Sequence, residues 1–109
     1  MITKNNFEHE FGGEVRTFYF GIGFLDLLIK ETGVSMESID EERVKNPVKM
    51  LINMMYNSLR YGYIRRGEEP TFVLYDVADW LDEAGGVKSP LVKKFSEDLY
   101  KRQYNYSFY

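Results

Sequence analysis

In 109 residues the sequence has no cysteine, one histidine, one tryptophan and three prolines. Without cysteine there are no disulfides and no thiolate metal ligands, so an intracellular setting is expected. His9 lies between Glu8 and Glu10. In a strand the two carboxylates would share one face and the imidazole the other, so the three do not converge on a metal. No apolar run approaches the roughly 20 residues that span a bilayer. The opening MITKNNFEHEF lacks the apolar stretch of a secretory leader, so none is expected. Charge of one sign is also scarce: 14 basic residues face 17 acidic ones, for a net charge of −3. The densest basic pair, Arg65 and Arg66, is followed by Glu68 and Glu69. Nucleic acid, whose affinity depends on phosphate neutralisation, is therefore not an expected partner, and neither is a membrane.

What the chain does have is aromatic side chains, chiefly nine tyrosines and eight phenylalanines. Tyrosine joins an apolar ring to a polar tip and is enriched at protein interfaces. The length suits one domain, residues 1–109, able to bury about 60% of its unfolded surface without covalent staples. Residues 1–6 and 104–109 are read as flexible tails.

Phe7–Phe11 and Val15–Phe20 flank Gly12 and Gly13, which predicts a β-hairpin closed by a primed turn. A lone hairpin is marginal in water, so it must pack on helices. The chain then passes through Gly21 and Gly23 into an apolar segment without a linker. Ile22, Leu25, Leu28 and Ile29 share a helical stripe, and Gly33 stands where a helix-ending glycine belongs. Ser38–Glu41 fits a capping box within a short helix or turn. Asn46 and Pro47 start a long helix ending near Gly67, with Gly62 a kink or early stop. Thr71 is read as the cap of a third helix, with Val73, Val77, Trp80, Leu81 and Ala84 on its stripe and Gly85 and Gly86 at its end. Ser89 and Pro90 open a fourth. The fold class is α+β, mainly α: an N-terminal β-hairpin packed on a small bundle of three to four helices.

The long helix carries two apolar faces. Val48, Leu51, Ile52, Met55 and Leu59 form one; Met50, Met54 and Tyr61, with Asn57, lie on the other. Such a helix is either central in a small bundle or shared with a partner, and methionine suits adaptable surfaces. The terminal aromatics Tyr100, Tyr104, Tyr106, Phe108 and Tyr109 either cover an edge of this domain, dock on another subunit or form a disordered tail. Met50, Met54, Tyr61, Tyr100 and Tyr104 are the candidate surface for a client or for a homo-oligomer. Asp76, Asp79 and Asp82 share a helix face, but no histidine, arginine clamp or phosphate loop accompanies them, so a solvated face is expected. Gly21–Gly23 lacks the third glycine of a dinucleotide fingerprint. No catalytic residue, metal or cofactor is predicted.

The Val15–Gly33 stretch, with Phe18, Phe20, Gly21, Gly23, Phe24 and Leu25, is followed by Asn46, Pro47 and an apolar helix, then by Tyr75–Leu81. This order resembles the tail assembly chaperones of long-tailed bacteriophages and prophages, over about Phe7 to Leu99. The resemblance implies a hairpin, an aromatic–glycine join leading into a helix, then a central helix, an acidic helix with an aromatic–aliphatic core and a short final helix. It also implies a non-enzymatic role in the bacterial cytoplasm. The tape measure protein would be coated before tail tube protein assembles around it. The aromatic ending after Gln103 departs from the charged end expected of that family. The alternatives are a structural head–tail adaptor that stays in the virion and a small protein-binding regulatory module.

Overall fold

The computed structural model describes residues 6–104, and only the backbone beyond residue 101. Strands β1 (Asn6–Phe11) and β2 (Glu14–Tyr19) form an antiparallel hairpin. Five helices follow: α1 (Ile22–Thr32), α2 (Ile39–Lys45), α3 (Pro47–Arg65), α4 (Leu74–Glu83) and α5 (Pro90–Tyr104). Single 3-10 turns precede α2 and α5, at Met36–Ser38 and Gly86–Lys88. The fold is α+β and mainly α, as the patterning predicts; the segment read as a short helix or turn supplies α2. No helix among the described residues is long and apolar enough to cross a membrane.

The hairpin turns on Gly12 and Gly13, with φ of 66° and 85°. Both central residues of a primed turn need this left-handed backbone, which side-chain-bearing residues avoid. Phe7 sits opposite Phe18, with rings 5.1 Å apart and nearly parallel. Phe18 and Phe20 both meet Phe95 of α5, at 5.5 and 5.3 Å. Phe20 meets Phe24 of α1 edge-on at 5.8 Å. One face of the hairpin is therefore clamped into the core by rings from two helices, which gives a two-stranded sheet the support it lacks alone.

Helix α3 is the centre. It packs on α1, α2, α4 and β2. Its Met50, Met54, Met55, Asn57, Ser58 and Leu59 are all buried. Asn57 Nδ2 donates to the Asn53 carbonyl at 2.8 Å, and Ser58 Oγ donates to the Tyr19 carbonyl at 2.9 Å. Buried polar groups are tolerable when bonded in this way.

Several terminal signals act as patterned, and others do not. Gly33 N–H donates to the Ile29 carbonyl at 2.8 Å and closes α1. Ser89 Oγ accepts from Val92 N–H at 3.2 Å, so the serine–proline start of α5 is a true cap. Ser38, by contrast, makes no capping bond; its hydroxyl pairs with that of Ser35 at 2.9 Å. Asn46 also caps no N–H. Its side chain donates to Glu42 Oε1 at 2.6 Å, tying the end of α2 to the start of α3. Helix α4 begins at Leu74, not at Thr71. Val73 N–H donates to Asp76 Oδ2 at 2.9 Å and Asp76 N–H donates back to the Val73 carbonyl at 3.0 Å, so the acidic side chain sets the start. Gly62 does not stop α3, which continues to Arg65.

Candidate functional site

The five residues expected to face a partner do not make one surface. Met50 and Met54 are sealed in the monomer, 1% and 6% exposed. This corrects the expectation that they form a free apolar face. Which side of α3 is buried depends on its neighbours, and the helix is enclosed by α1, α2, α4 and β2. The other apolar face is the less buried one at its start, where Val48 is exposed. Tyr61 is half-buried and committed to packing within the chain. Its ring stands edge-on to Tyr19 at 6.3 Å, and its phenol fills the space that a side chain at Gly23 would need. Tyr100 is exposed on α5. The side chain of Tyr104, with Tyr106, Phe108 and Tyr109, lies outside the described residues.

The structure opens instead beside the hairpin. A cleft of about 140 Å³ runs between β2 and the C-terminal half of α3. Glu14, Val15, Arg16, Thr17 and Tyr19 form one wall. Leu59, Gly62 and Tyr63 of α3, with Arg66 just beyond its end and Phe72, form the other. Helix α3 hugs β2 at Tyr19, where Ser58 bonds its carbonyl and Gly62 admits its ring. Its last turn, carrying Tyr63, and the following Arg66 continue along the cleft's far wall.

Arginine and aromatic groups dominate this region. Arg16 follows the same strand parity as Phe18, so it points toward the core side. Its side chain is only 10% exposed. The guanidinium lies 4.0 Å from the Trp80 ring centroid and 5.2 Å from that of Phe72. Nε donates to the Phe11 carbonyl at 2.6 Å, Nη2 donates to that of Gly12 at 3.4 Å, and Glu14 is 3.6 Å away. A buried guanidinium needs this combination of charge, ring faces and acceptors. Phe72 is buried at the junction, edge-on to Tyr56 at 5.9 Å and to Tyr63 at 5.6 Å. Arg66 stands over the Tyr63 ring at 5.0 Å and pairs with Glu68 at 3.1 Å, both half-exposed. Such surface pairs exchange readily for other partners. Tyr56, beside Phe72, has its phenol pKa raised above the usual 10.0, first by burial and then by Glu31 and Glu69, against a lowering by Arg60.

Sequence patterning missed Arg16, Thr17, Tyr63, Arg66 and Phe72 as a site. One signal was available: an arginine on the inward parity of a strand otherwise lined by phenylalanine. His9 is not a ligand cluster; its Nδ1 donates to the Glu10 carbonyl at 2.8 Å. No group of three His, Asp or Glu among the described residues converges to hold a metal ion. The cleft offers ring faces, guanidinium groups and the outer edge of β2. No protein-family model, curated protein or solved structure matches this chain.

Proposed function

We propose that this chain is a non-enzymatic protein-binding domain, a tail assembly chaperone of a long-tailed bacteriophage or prophage. In this reading it holds the tape measure protein in the bacterial cytoplasm until tail tube protein replaces it. The order of elements is the observation that supports the reading most. Hairpin, aromatic–glycine join into α1, central helix α3, acidic helix α4 and final helix α5 come in the order the resemblance implies, with α2 inserted before α3 and with α5, at 15 residues, longer than the short final helix expected. A second support is the cleft, where exposed Val15 and the half-buried Tyr63 ring offer apolar surface beside the arginines. The buried methionines cannot serve as that surface, so the docking role passes to the β2 side of the domain.

The test is co-expression with fragments of a phage tape measure protein, followed by mass spectrometry of purified particles. The expected result is a soluble complex with one or more fragments and no copies of this chain in the particle. A stoichiometric presence in the particle would make it an adaptor instead. Capture of no fragment would remove the chaperone reading.

A further inference from the structure

We propose that the open edge of β2, at Val15 and Thr17, takes an extended acidic segment of another polypeptide as a third strand. The inference rests on the protein-binding reading above and adds the place, conformation and charge of what is bound.

The first support is hydrogen-bond parity. A two-residue primed turn makes its flanking pair, Phe11 and Glu14, a hydrogen-bonded one. Bonded and non-bonded pairs then alternate, so His9–Arg16 and Phe7–Phe18 are bonded while Glu10–Val15, Glu8–Thr17 and Asn6–Tyr19 are not. In a non-bonded pair each residue turns its N–H and C=O away from the other strand. Tyr19 checks this independently, because its carbonyl accepts from Ser58 Oγ across the outer edge. Helix α3 thus occupies the edge at Tyr19. The outward groups of Val15 and Thr17 meet no partner among the described residues. They stand two residues apart on one wall of the cleft, with the spacing an added strand requires. A free edge of this kind is normally blocked by a charge, a proline or a covering element. Here Val15 is 66% exposed instead.

Charge decides the occupant. The chain carries a net charge of −3, yet the cleft lining holds Arg16 and Arg66 against a single carboxylate, Glu14. Arg16 Nη1 has no hydrogen-bond acceptor among the described residues; Arg16 pairs with the exposed Glu14 at 3.6 Å, and Arg66 is held by the half-exposed Glu68 and the Tyr63 ring, so an incoming carboxylate competes only with exposed ones. Guanidinium groups bind carboxylates strongly and with directional bonds. An incoming strand mixing apolar and acidic residues meets Val15 and Tyr63 with the former and the arginines with the latter.

The probe is a short capped peptide alternating valine and glutamate, added to the full chain and followed by amide NMR and hydrogen exchange. The Val15 and Thr17 amides are expected to shift and to exchange about tenfold more slowly or better. A valine–lysine peptide should leave them unchanged. Thr17→Pro removes an outward donor while leaving every hairpin hydrogen bond in place, and should abolish the protection. Arg66→Glu, at an exposed site, should weaken the glutamate peptide about tenfold and admit the lysine peptide. Protection at other amides, or unchanged binding by both variants, overturns the inference. So does protection of Val15 and Thr17 in the free chain that grows with concentration, since a second copy would then fill the edge. If both variants bind peptide normally and still capture the tape measure fragment, this inference falls and the chaperone reading survives. If the peptide docks as described but no fragment is captured, the reverse holds.

Discussion

Gly62→Ala tests how tightly α3 sits on the hairpin. Glycine inside a helix costs about 1 kcal/mol relative to alanine, so an unobstructed site would be stabilised by that amount. Here the added Cβ would lie 2.6 Å from Tyr19 Cε2 and 2.8 Å from Cδ2, well inside van der Waals contact. The ring is not free to swing away. Tyr61 stands edge-on to it at 6.3 Å, and the Arg65 guanidinium lies 5.3 Å from its centroid. Overpacking of this kind costs roughly 1–3 kcal/mol. The clash therefore outweighs the helix propensity, and a net loss of about 1 kcal/mol is expected. In a Tyr19→Ala background the obstruction is gone and the same change should stabilise by up to about 1 kcal/mol. A coupling energy of about 2 kcal/mol follows from the sign reversal. Urea unfolding reads it, with Trp80 fluorescence and far-UV circular dichroism as two probes. At a slope of about 1 kcal/mol per molar, the midpoint should fall by about 1 M in one background and rise in the other. A wild-type background stabilised by Gly62→Ala, or equal shifts in both, would refute the packing described.

Met50→Glu combined with Met54→Glu should abolish cooperative thermal unfolding, because each buries an unpaired carboxylate at a cost of several kcal/mol; a folded monomer with an unchanged midpoint in calorimetry would show the two side chains to be surface groups. Ser58→Ala should cost about 1–2 kcal/mol in urea unfolding by removing the 2.9 Å bond to the Tyr19 carbonyl; no measurable loss would mean that water replaces the hydroxyl. The raised pKa of Tyr56 means that the folded chain holds this proton more tightly than the unfolded chain. Its contribution is fully present below the unfolded value of 10.0 and is lost as pH rises through the folded value. Tyr56→Phe should therefore lose less melting temperature than the wild type between about pH 9 and 11. An equal loss in both would remove burial as the cause.

Local chemistry was legible without coordinates. The Gly12–Gly13 turn, the span of α1 up to Gly33 and the proline starts of α3 and α5 each depend on residues adjacent in the chain. A left-handed turn, a missing proline N–H or a serine cap acts over three or four residues, so the sequence carries it whole. The caps read at Ser38, Asn46 and Thr71 failed because each polar side chain or backbone group had a competing partner nearby. Ser35, Glu42 and the Val73–Asp76 pair took those bonds instead.

Hydrophobic patterning alone determined that α3 has two apolar faces, that a hairpin leads into α1 through Gly21 and Gly23, and that no cysteine chemistry is open to the chain. Only the tertiary structure decided that both faces of α3 are largely enclosed, that Met50 and Met54 are core, and that a cleft lies between β2 and the end of α3. The physical reason is that burial is a property of neighbours brought from far along the chain. Arg16, Phe72 and Trp80 are distant in sequence, and their stacked arrangement exists only once the hairpin, α3 and α4 have packed together.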